Sequence, residues 1–218
     1  MLRLIRWFLM LLMVAQFVGL GHGIAQANGG ALSTRVLEPL RIEQYGVYNA
    51  VAEISQKAHV PIGVDAILPT KEPTIVIDYR RGTLANLLNA VVALAPEYSW
   101  DETTGGVIHF VRKIAHVSLL DMTMYYPGAE RKTRQEIWED LANRPEIAQW
   151  LRSNNCQRQE IFMRNEFRRN NGPISIAPGT MTLRQLFDEV TVKSGTDGWF
   201  VLQSPPSDAQ CHVSLMLW

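Results

Sequence analysis

The chain has 218 residues, 47% of them hydrophobic, and its 21 basic and 21 acidic side chains cancel to a formal charge of zero. Such a balance offers no net attraction to a nucleic-acid backbone or to an anionic lipid surface, so we expect neither as a partner. The length suits one domain of ordinary size or two small ones.

The first 27 residues have the three regions of a cleavable signal peptide in the usual order. Arg3 and Arg6 precede an apolar stretch at 7–20, and the small residues Ala25 and Ala27 follow it. This stretch is shorter than the roughly 20 residues that a membrane-spanning helix needs. We therefore expect cleavage after residue 27, no remaining transmembrane segment, and a periplasmic mature chain with a formal charge of −2.

Residues 36–113 have the pattern of a small α+β unit. The predicted elements are a strand at 36–42, a helix at 45–59, strands at 62–64 and 74–79, a helix at 84–95, and a hairpin of strands at 98–101 and 107–111. Thr83 is placed to cap the second helix. Glycines and threonines between 103 and 106 favour the hairpin turn.

Residues 117–218 repeat this order of elements with a longer first helix. The predicted elements are a strand at 117–124, a turn at 125–128, a helix at 133–151 broken near Asn143, strands at 160–167 and 174–177, a helix after Thr182, and strands at 198–203 and 211–217. Thr133 with Glu136, and Thr182 with Gln185, have the spacing of capping boxes.

A shift of 99 residues overlays the segment 75–100 on 174–199 without a gap. Seven of these 26 positions are identical, including the threonine pair Thr83 and Thr182 and the tryptophan pair Trp100 and Trp199. Shared apolar spacing alone would explain several matches, but these two pairs favour an internal duplication. The sequence therefore predicts an α+β fold of two units, each with two helices packed between short mixed β-sheets.

Several short motifs of the first half belong to one family pattern. They are VAEISQ at 51–56, VPIGVD at 60–65, IVI at 75–77, GTLANLL at 82–88, Trp100, and GGVIHF at 105–110. With them the first half, 36–113, resembles the short N-terminal domain of secretins and TonB-dependent receptors (STN domain). The second half, 117–218, resembles a divergent copy, chiefly at 174–201 and in its closing strand. The family fold has two helices between two small sheets, which is the fold that the resemblance implies here.

The resemblance also implies a class of function. Domains of this family precede an outer-membrane secretin or receptor barrel and act through protein contacts. This implies an exported, non-enzymatic module that binds an envelope protein, such as a component of a secretin, pilus or TonB-type system. The alternative is a periplasmic protein that binds a small ligand or glycan between its units, with Trp100 and Trp199 as stacking residues. An undetected hydrolase is a third alternative.

Histidines suggest a metal site at first sight, but their spacing argues against it. His109 and His116 lie near Asp101 and Asp121 in the sequence. Seven residues along one strand place the two histidines on opposite faces, so a shared ion is disfavoured. No nucleophile, phosphate-loop or zinc motif is present. We therefore expect no catalytic residue, no cofactor and no metal.

The two cysteines, Cys156 and Cys211, both lie in the second half. Export would bring them into an oxidising compartment, where a disulfide is favoured. The alternative is a pair of buried, unbonded thiols, since free cysteine is a common core residue.

Two further features are candidates for protein contact. Trp138 and Trp150 lie twelve residues apart in the long predicted helix, where they form either core or a partner-facing ridge. Arg164, Arg168 and Arg169 form a basic run that suits an acidic partner. The same run also suits a solvated edge whose charges discourage strand pairing.

Overall fold

The computed structural model describes residues 31–67, 73–113, 118–159, 172–204 and 211–217. The expected signal peptide, His116, the basic run of Arg164, Arg168 and Arg169, and the strand expected at 160–167 lie outside these ranges. Residues from Ala31 onward form one compact unit. Its class is α+β, as the sequence predicts. Within the described ranges, each helix is too short or too polar to cross a bilayer.

In the first half, the strand predicted at 36–42 is two strands with different partners, a short strand precedes the second helix, and the other elements follow the predicted order with small shifts. They are β1 (Val36–Leu37), β2 (Leu40–Tyr45), α1 (Val47–Ala58), β3 (Ile62–Ile67), β4 (Thr74–Tyr79), β5 (Gly82–Thr83), α2 (Leu84–Leu94), β6 (Tyr98–Glu102) and β7 (Ile108–Arg112). Helix α1 begins after Gly46, whose φ of 85° is not helical. The cap on α2 is confirmed, because the Thr83 hydroxyl accepts from the Asn86 N–H.

The second half has the predicted helix caps. Part of the strand predicted at 117–124 is a 3-10 turn instead. Its elements are a 3-10 turn (Leu119–Asp121), β8 (Thr123–Tyr126), β9 (Ala129–Lys132), α3 (Arg134–Ala142), α4 (Pro145–Ser153), β10 (Cys156–Gln159), β11 (Ile174–Ile176), β12 (Gly179–Thr182), α5 (Leu183–Ser194), β13 (Gly198–Gln203) and β14 (Cys211–Leu217). Capping boxes at Thr133 and Thr182 are confirmed. The turn predicted at 125–128 is wrong for Tyr125 and Tyr126, because alternating burial keeps both in a strand.

Strand pairing in the first half has a counterpart in the second. The pair β1–β5 corresponds to β8–β12, and β2–β4 corresponds to β9–β11, all antiparallel. The three strands β3, β7 and β6 pair as β10, β14 and β13 do, first parallel and then antiparallel. Strand β3 also pairs with β13, so one six-stranded sheet runs in the order β10–β14–β13–β3–β7–β6.

This sheet lies between two hydrophobic cores, one on each face. Helices α1 and α2 line the first core, and helices α3, α4 and α5 line the second. Side chains alternate along a strand, so Phe200 and Leu202 join the first core while Trp199 and Val201 join the second. Helix α1 reaches over the other half, where Tyr48 contacts Phe200 at a ring distance of 6.1 Å. The two halves therefore share one central layer.

Candidate functional site

The two halves meet where β3 pairs with β13, a contact called the joint below. Six residues of each strand pair in parallel, from Ile62 opposite Gly198 to Ile67 opposite Gln203. The Asp197 carbonyl accepts from the Ile62 N–H at 2.9 Å and from the Ser55 hydroxyl at 2.5 Å. A strand of one half is thus docked on the sheet edge of the other.

Two glycines allow the close approach at the joint. Gly63 lies directly opposite Trp199, and a Cβ at position 63 would lie 2.1 Å from Trp199 Cζ2. A Cβ at position 198 would lie 2.0 Å from the carbonyl oxygen of Ile62. Real Cβ atoms do not approach other atoms so closely, so only glycine fits at either position without a shift.

A cluster of polar side chains, called the latch below, covers the joint on the face of the second core. His109 Nε2 lies 3.0 and 2.9 Å from the two carboxylate oxygens of Asp188. Trp199 Nε1 donates to Asp188 Oδ1 at 2.8 Å, and the His109 and Trp199 rings are 5.5 Å apart. Asp188 belongs to α5 and His109 to β7, so the latch ties the second half to the first.

Arg184 of α5 forms the other part of the latch. Its guanidinium Nη2 donates to Asp65 Oδ2 at 3.0 Å and to Asp121 Oδ1 at 3.1 Å. Asp65 is only 3% exposed and accepts a further hydrogen bond from the Ser118 hydroxyl at 2.9 Å. A buried carboxylate is tolerated only with such partners, so removing Arg184 would be costly.

The latch can hold and orient the two halves. Among the described residues, the hydrogen bonds of the His109 imidazole go to Asp188. The ranges that the structure describes hold no group of three His, Cys, Asp or Glu side chains suited to a metal ion.

Sequence reasoning did not find the latch, because its members come from distant segments. Asp65, His109 and Asp188 lie on β3, β7 and α5, and no local motif joins them. One signal was available. A charged residue inside the otherwise apolar strand 62–67 requires a partner, since an unpaired buried charge is costly.

The four tryptophans that the sequence singled out do not form one site. Trp199 is fully buried, and Trp100 is half-buried with its Nε1 donating to Asn89 Oδ1 at 2.9 Å. They face opposite cores, so they do not form the pair of stacking residues that the ligand-binding alternative requires. Trp138 and Trp150 are both half-buried against the second core, where Trp138 lies 6.2 Å from the ring of Phe187.

Cys156 and Cys211 lie directly opposite each other on β10 and β14 and form a disulfide. Their Cα atoms are 4.3 Å apart, and the bond closes a separation of 55 residues. The disulfide therefore fixes the outermost strand at one end of the six-stranded sheet.

The β6 edge, residues 98–102, ends the sheet on one side. Directly opposite residues of two antiparallel strands alternate between hydrogen-bonded and non-hydrogen-bonded pairs. The Lys113 N–H donates to the Glu97 carbonyl at 2.7 Å, which makes the odd-numbered positions of this strand the bonded ones. The backbone N–H and C=O of Trp100 therefore face away from β7. Among the described residues, no strand pairs with this side.

The β10 edge, residues 156–159, ends the sheet on the other side. The Asn155 carbonyl accepts from the Cys211 N–H at 3.3 Å. A residue in a parallel pair directs both backbone groups to the same neighbour, so residues 155, 157 and 159 face β14. Cys156 and Arg158 then direct their backbone groups outward. Within the described ranges, this side too has no paired strand.

Glu102 holds the start of the described chain against the β6 edge. Its carboxylate accepts from the backbone N–H groups of Leu32 and Ser33 at 2.6 and 3.1 Å. Burial raises the pKa of this carboxyl, but the hydrogen bonds from Ser33 and Leu32 lower it more. The net pKa of Glu102 therefore lies below its ordinary value of 4.5.

Comparison with protein-family models and with curated proteins finds no match to this chain. The joint, the latch and the two outer edges are the features from which a function can be inferred.

Proposed function

We propose that this protein is an exported, non-enzymatic interaction module of the bacterial envelope that binds an envelope protein by strand pairing at its outer sheet edges. The joint is the observation that carries the proposal, because there one half already binds the other by adding a strand to a sheet edge. Addition of a strand to an edge is a common mode of protein recognition, in which backbone hydrogen bonds give affinity.

The recurrence of every strand pairing supports a tandem of two STN-like units. If the halves are equivalent, β6 corresponds to β13, and β13 is the edge that receives β3 at the joint. The β6 edge is therefore of a kind that this fold uses for docking. A component of a secretin, pilus or TonB-type receptor system is the partner that the family resemblance suggests.

Three features support export and a role without catalysis. The amino-terminal sequence has the pattern of a signal peptide, and a disulfide between Cys156 and Cys211 suits the oxidising periplasm. The polar groups of the latch bind one another, and Asp65 and His109 are both buried. They stabilise the joint and are not presented to a substrate.

Site-specific photo-crosslinking in cells that make the protein tests this proposal. A photoreactive residue at Asp101 of the β6 edge, or at Gln157 of the β10 edge, is compared with one at Gln149, which is exposed on α4. We expect a discrete crosslinked envelope protein from at least one edge position and none from position 149. Identical products from all three positions, or none from a folded and exported protein, would overturn the proposal.

A further inference from the structure

We propose that two copies of this chain associate through β4, with the outer edge of β4 in one copy pairing antiparallel with the same edge in the other. This inference goes beyond the proposed function, because β4 belongs to a different sheet from the β6 and β10 edges. It comes from a comparison of the two halves, in which a contact that covers this edge in the second half is replaced in the first.

Strand β4 directs backbone groups away from β2, its partner in a two-stranded sheet. The Gly46 N–H donates to the Pro73 carbonyl at 2.9 Å, so the odd-numbered residues of β4 are the ones bonded to β2. Thr74, Val76 and Asp78 therefore direct their N–H and C=O groups outward, and all three residues are exposed. Among the described residues, no other strand pairs with β4 and no side chain donates to these outward carbonyls.

The other edge of this small sheet is covered by side chains of α1. Lys57 Nζ donates to the Arg41 carbonyl at 2.9 Å, and Asn49 Nδ2 donates to the Tyr45 carbonyl at 2.6 Å. A lysine at a sheet edge discourages pairing with another chain. The β2 edge is therefore protected in a way that the β4 edge is not.

The 99-residue correspondence between the halves holds in the structure around α2 and α5. Trp100 Nε1 donates to Asn89 Oδ1 at 2.9 Å, and at the same shift Trp199 Nε1 donates to Asp188 Oδ1 at 2.8 Å. Residues of α2 can therefore be compared with residues of α5 position by position.

The second half covers the edge that corresponds to β4. Strand β11 is the counterpart of β4, and Ser175 corresponds to Val76 at the 99-residue shift. Lys193 of α5 donates from Nζ to the Ser175 carbonyl at 2.8 Å and forms an ion pair with Glu189 at 2.7 Å. A charged cap thus lies on an outward carbonyl of β11.

The first half has apolar residues in place of this cap. The counterparts of Lys193 and Glu189 on α2 are Leu94 and Ala90, whose side chains have no donor or charge. Leu94 and Val76 are each 50% exposed. Exposed apolar side chains beside outward backbone groups are the features of an edge that another strand can cover.

The β4 edge is complementary to itself. In an antiparallel pair centred on Val76, this residue lies opposite Val76 of the second copy, and Thr74 lies opposite Asp78 of that copy. All of these residues direct backbone groups outward, so each pair can exchange two hydrogen bonds. The Thr74 hydroxyl can donate to the Asp78 carboxylate, and like charges are not opposed. The contact has two-fold symmetry and therefore closes at two copies.

The position of β4 leaves room for a second copy. Helix α1 packs chiefly under β2 and reaches β13, whereas α2 packs under β4 and reaches β6 at the far end of the six-stranded sheet. The β4 edge therefore lies at the end of the molecule that is remote from the second half. This contact does not need the glycines of the joint, because β2 and β4 already pair along their whole length without one.

The contact is small. Pairing of the two edges adds the side chains of Leu94 and Ala90 to a short run of backbone hydrogen bonds, which is much less than the roughly 800 Å² per partner of a standard interface. We therefore expect a weak, reversible dimer whose fraction increases with protein concentration.

Sedimentation velocity of the purified, disulfide-bonded protein over a range of concentrations tests the inference. Leu94→Lys builds into the first half the cap that Lys193 provides in the second, and adding Ala90→Glu supplies its ion-pair partner. Loss of a backbone hydrogen bond and of the apolar contact should raise the dissociation constant of the dimer by about tenfold. Leu94 is half exposed, so Leu94→Lys alone decides the outcome if the double variant does not fold.

Thr74 provides a second test, in which two substitutions have opposite effects. Thr74→Asp places a carboxylate opposite Asp78 twice in the dimer and should raise the dissociation constant by about fivefold, whereas Thr74→Lys places an unlike charge there and should lower it by a similar factor. Thr180 is an exposed threonine on β12 of the second half. The same two substitutions at Thr180 are the controls and should leave association unchanged.

A monomer at every concentration, or a dimer that neither Leu94→Lys nor Thr74→Asp weakens, would overturn the inference. The outcome is separate from that of the proposed function. If the protein is monomeric but crosslinks to an envelope protein from position 101 or 157, the inference fails while the proposed function stands. If the dimer responds as expected but those positions give no crosslink, the reverse holds.

Discussion

Replacing Gly63 by alanine is the sharpest test of the joint. The new methyl group would lie 2.1 Å from Trp199 Cζ2, so either the indole or the strand must move. Trp199 is fully buried and donates to Asp188, and its displacement disturbs the second core and the latch together. A weaker joint is therefore expected even though alanine is a small, apolar residue.

The expected loss of stability in Gly63→Ala has two contributions. Overpacking of a close-packed core costs about 1–3 kcal/mol. Loss of a hydrogen bond to a charged group costs about 1.5–3 kcal/mol. We expect Gly63→Ala to lower the free energy of unfolding by about 3–5 kcal/mol, a large part of the roughly 5–15 kcal/mol of an ordinary domain.

Urea unfolding followed by circular dichroism measures this change. Gly105→Ala is the matched control, because a Cβ there lies 3.6 Å from its nearest neighbour, Thr103 Oγ1, and is expected to change stability by less than about 0.5 kcal/mol. Adding Trp199→Phe to Gly63→Ala relieves the overlap, so the two effects should not be additive. A loss of less than about 1 kcal/mol for Gly63→Ala would refute the account of the joint.

Two further predictions concern the ends of the sheet. Replacing Cys156 and Cys211 by serine opens a loop of 55 residues and should lower the free energy of unfolding by about 4 kcal/mol in the chain-entropy model, and equal melting temperatures of variant and parent protein would contradict this. The pKa of Glu102 is lowered in the folded protein, so its contribution to stability is complete above pH 4.5 and is lost as the pH falls through the folded value. Stability measured between pH 5 and pH 3 should therefore fall more steeply in the parent than in Glu102→Gln, and equal slopes in the two proteins would count against the contact with Leu32 and Ser33.

Local chemistry explains which elements could be predicted from the sequence. The starts of α2, α3 and α5 depend on a threonine and a polar residue three positions later, and such pairs are visible in any short window. Strand β13, predicted at 198–203, is found at those residues because turn-forming residues bound an apolar run. Helix α4 begins with Pro145, whose restricted φ suits the first position of a helix.

Long-range pairing explains the features that could not be predicted from the sequence. Strand β3 extends to Ile67, beyond its predicted end at residue 64, because its pairing with β13 continues to that residue. Predicting the latch would have required knowing which helix crosses which strand. When α5 is considered alone, Arg184 and Asp188 look like surface residues of an amphipathic helix. Trp199, which the ligand-binding alternative took as a stacking residue, is buried over Gly63 of the other half, and no local pattern shows this contact.

The central position of β3 has a consequence for the nascent chain. Ile62 and its partner Gly198 are 136 residues apart in the sequence, so the first half leaves the ribosome long before β13 exists. Until then β3, whose six residues are all buried in the native protein, presents an unpaired apolar side. Such intermediates fold slowly and attract chaperones or other unfolded chains. We expect the native state to form only after synthesis of the whole polypeptide.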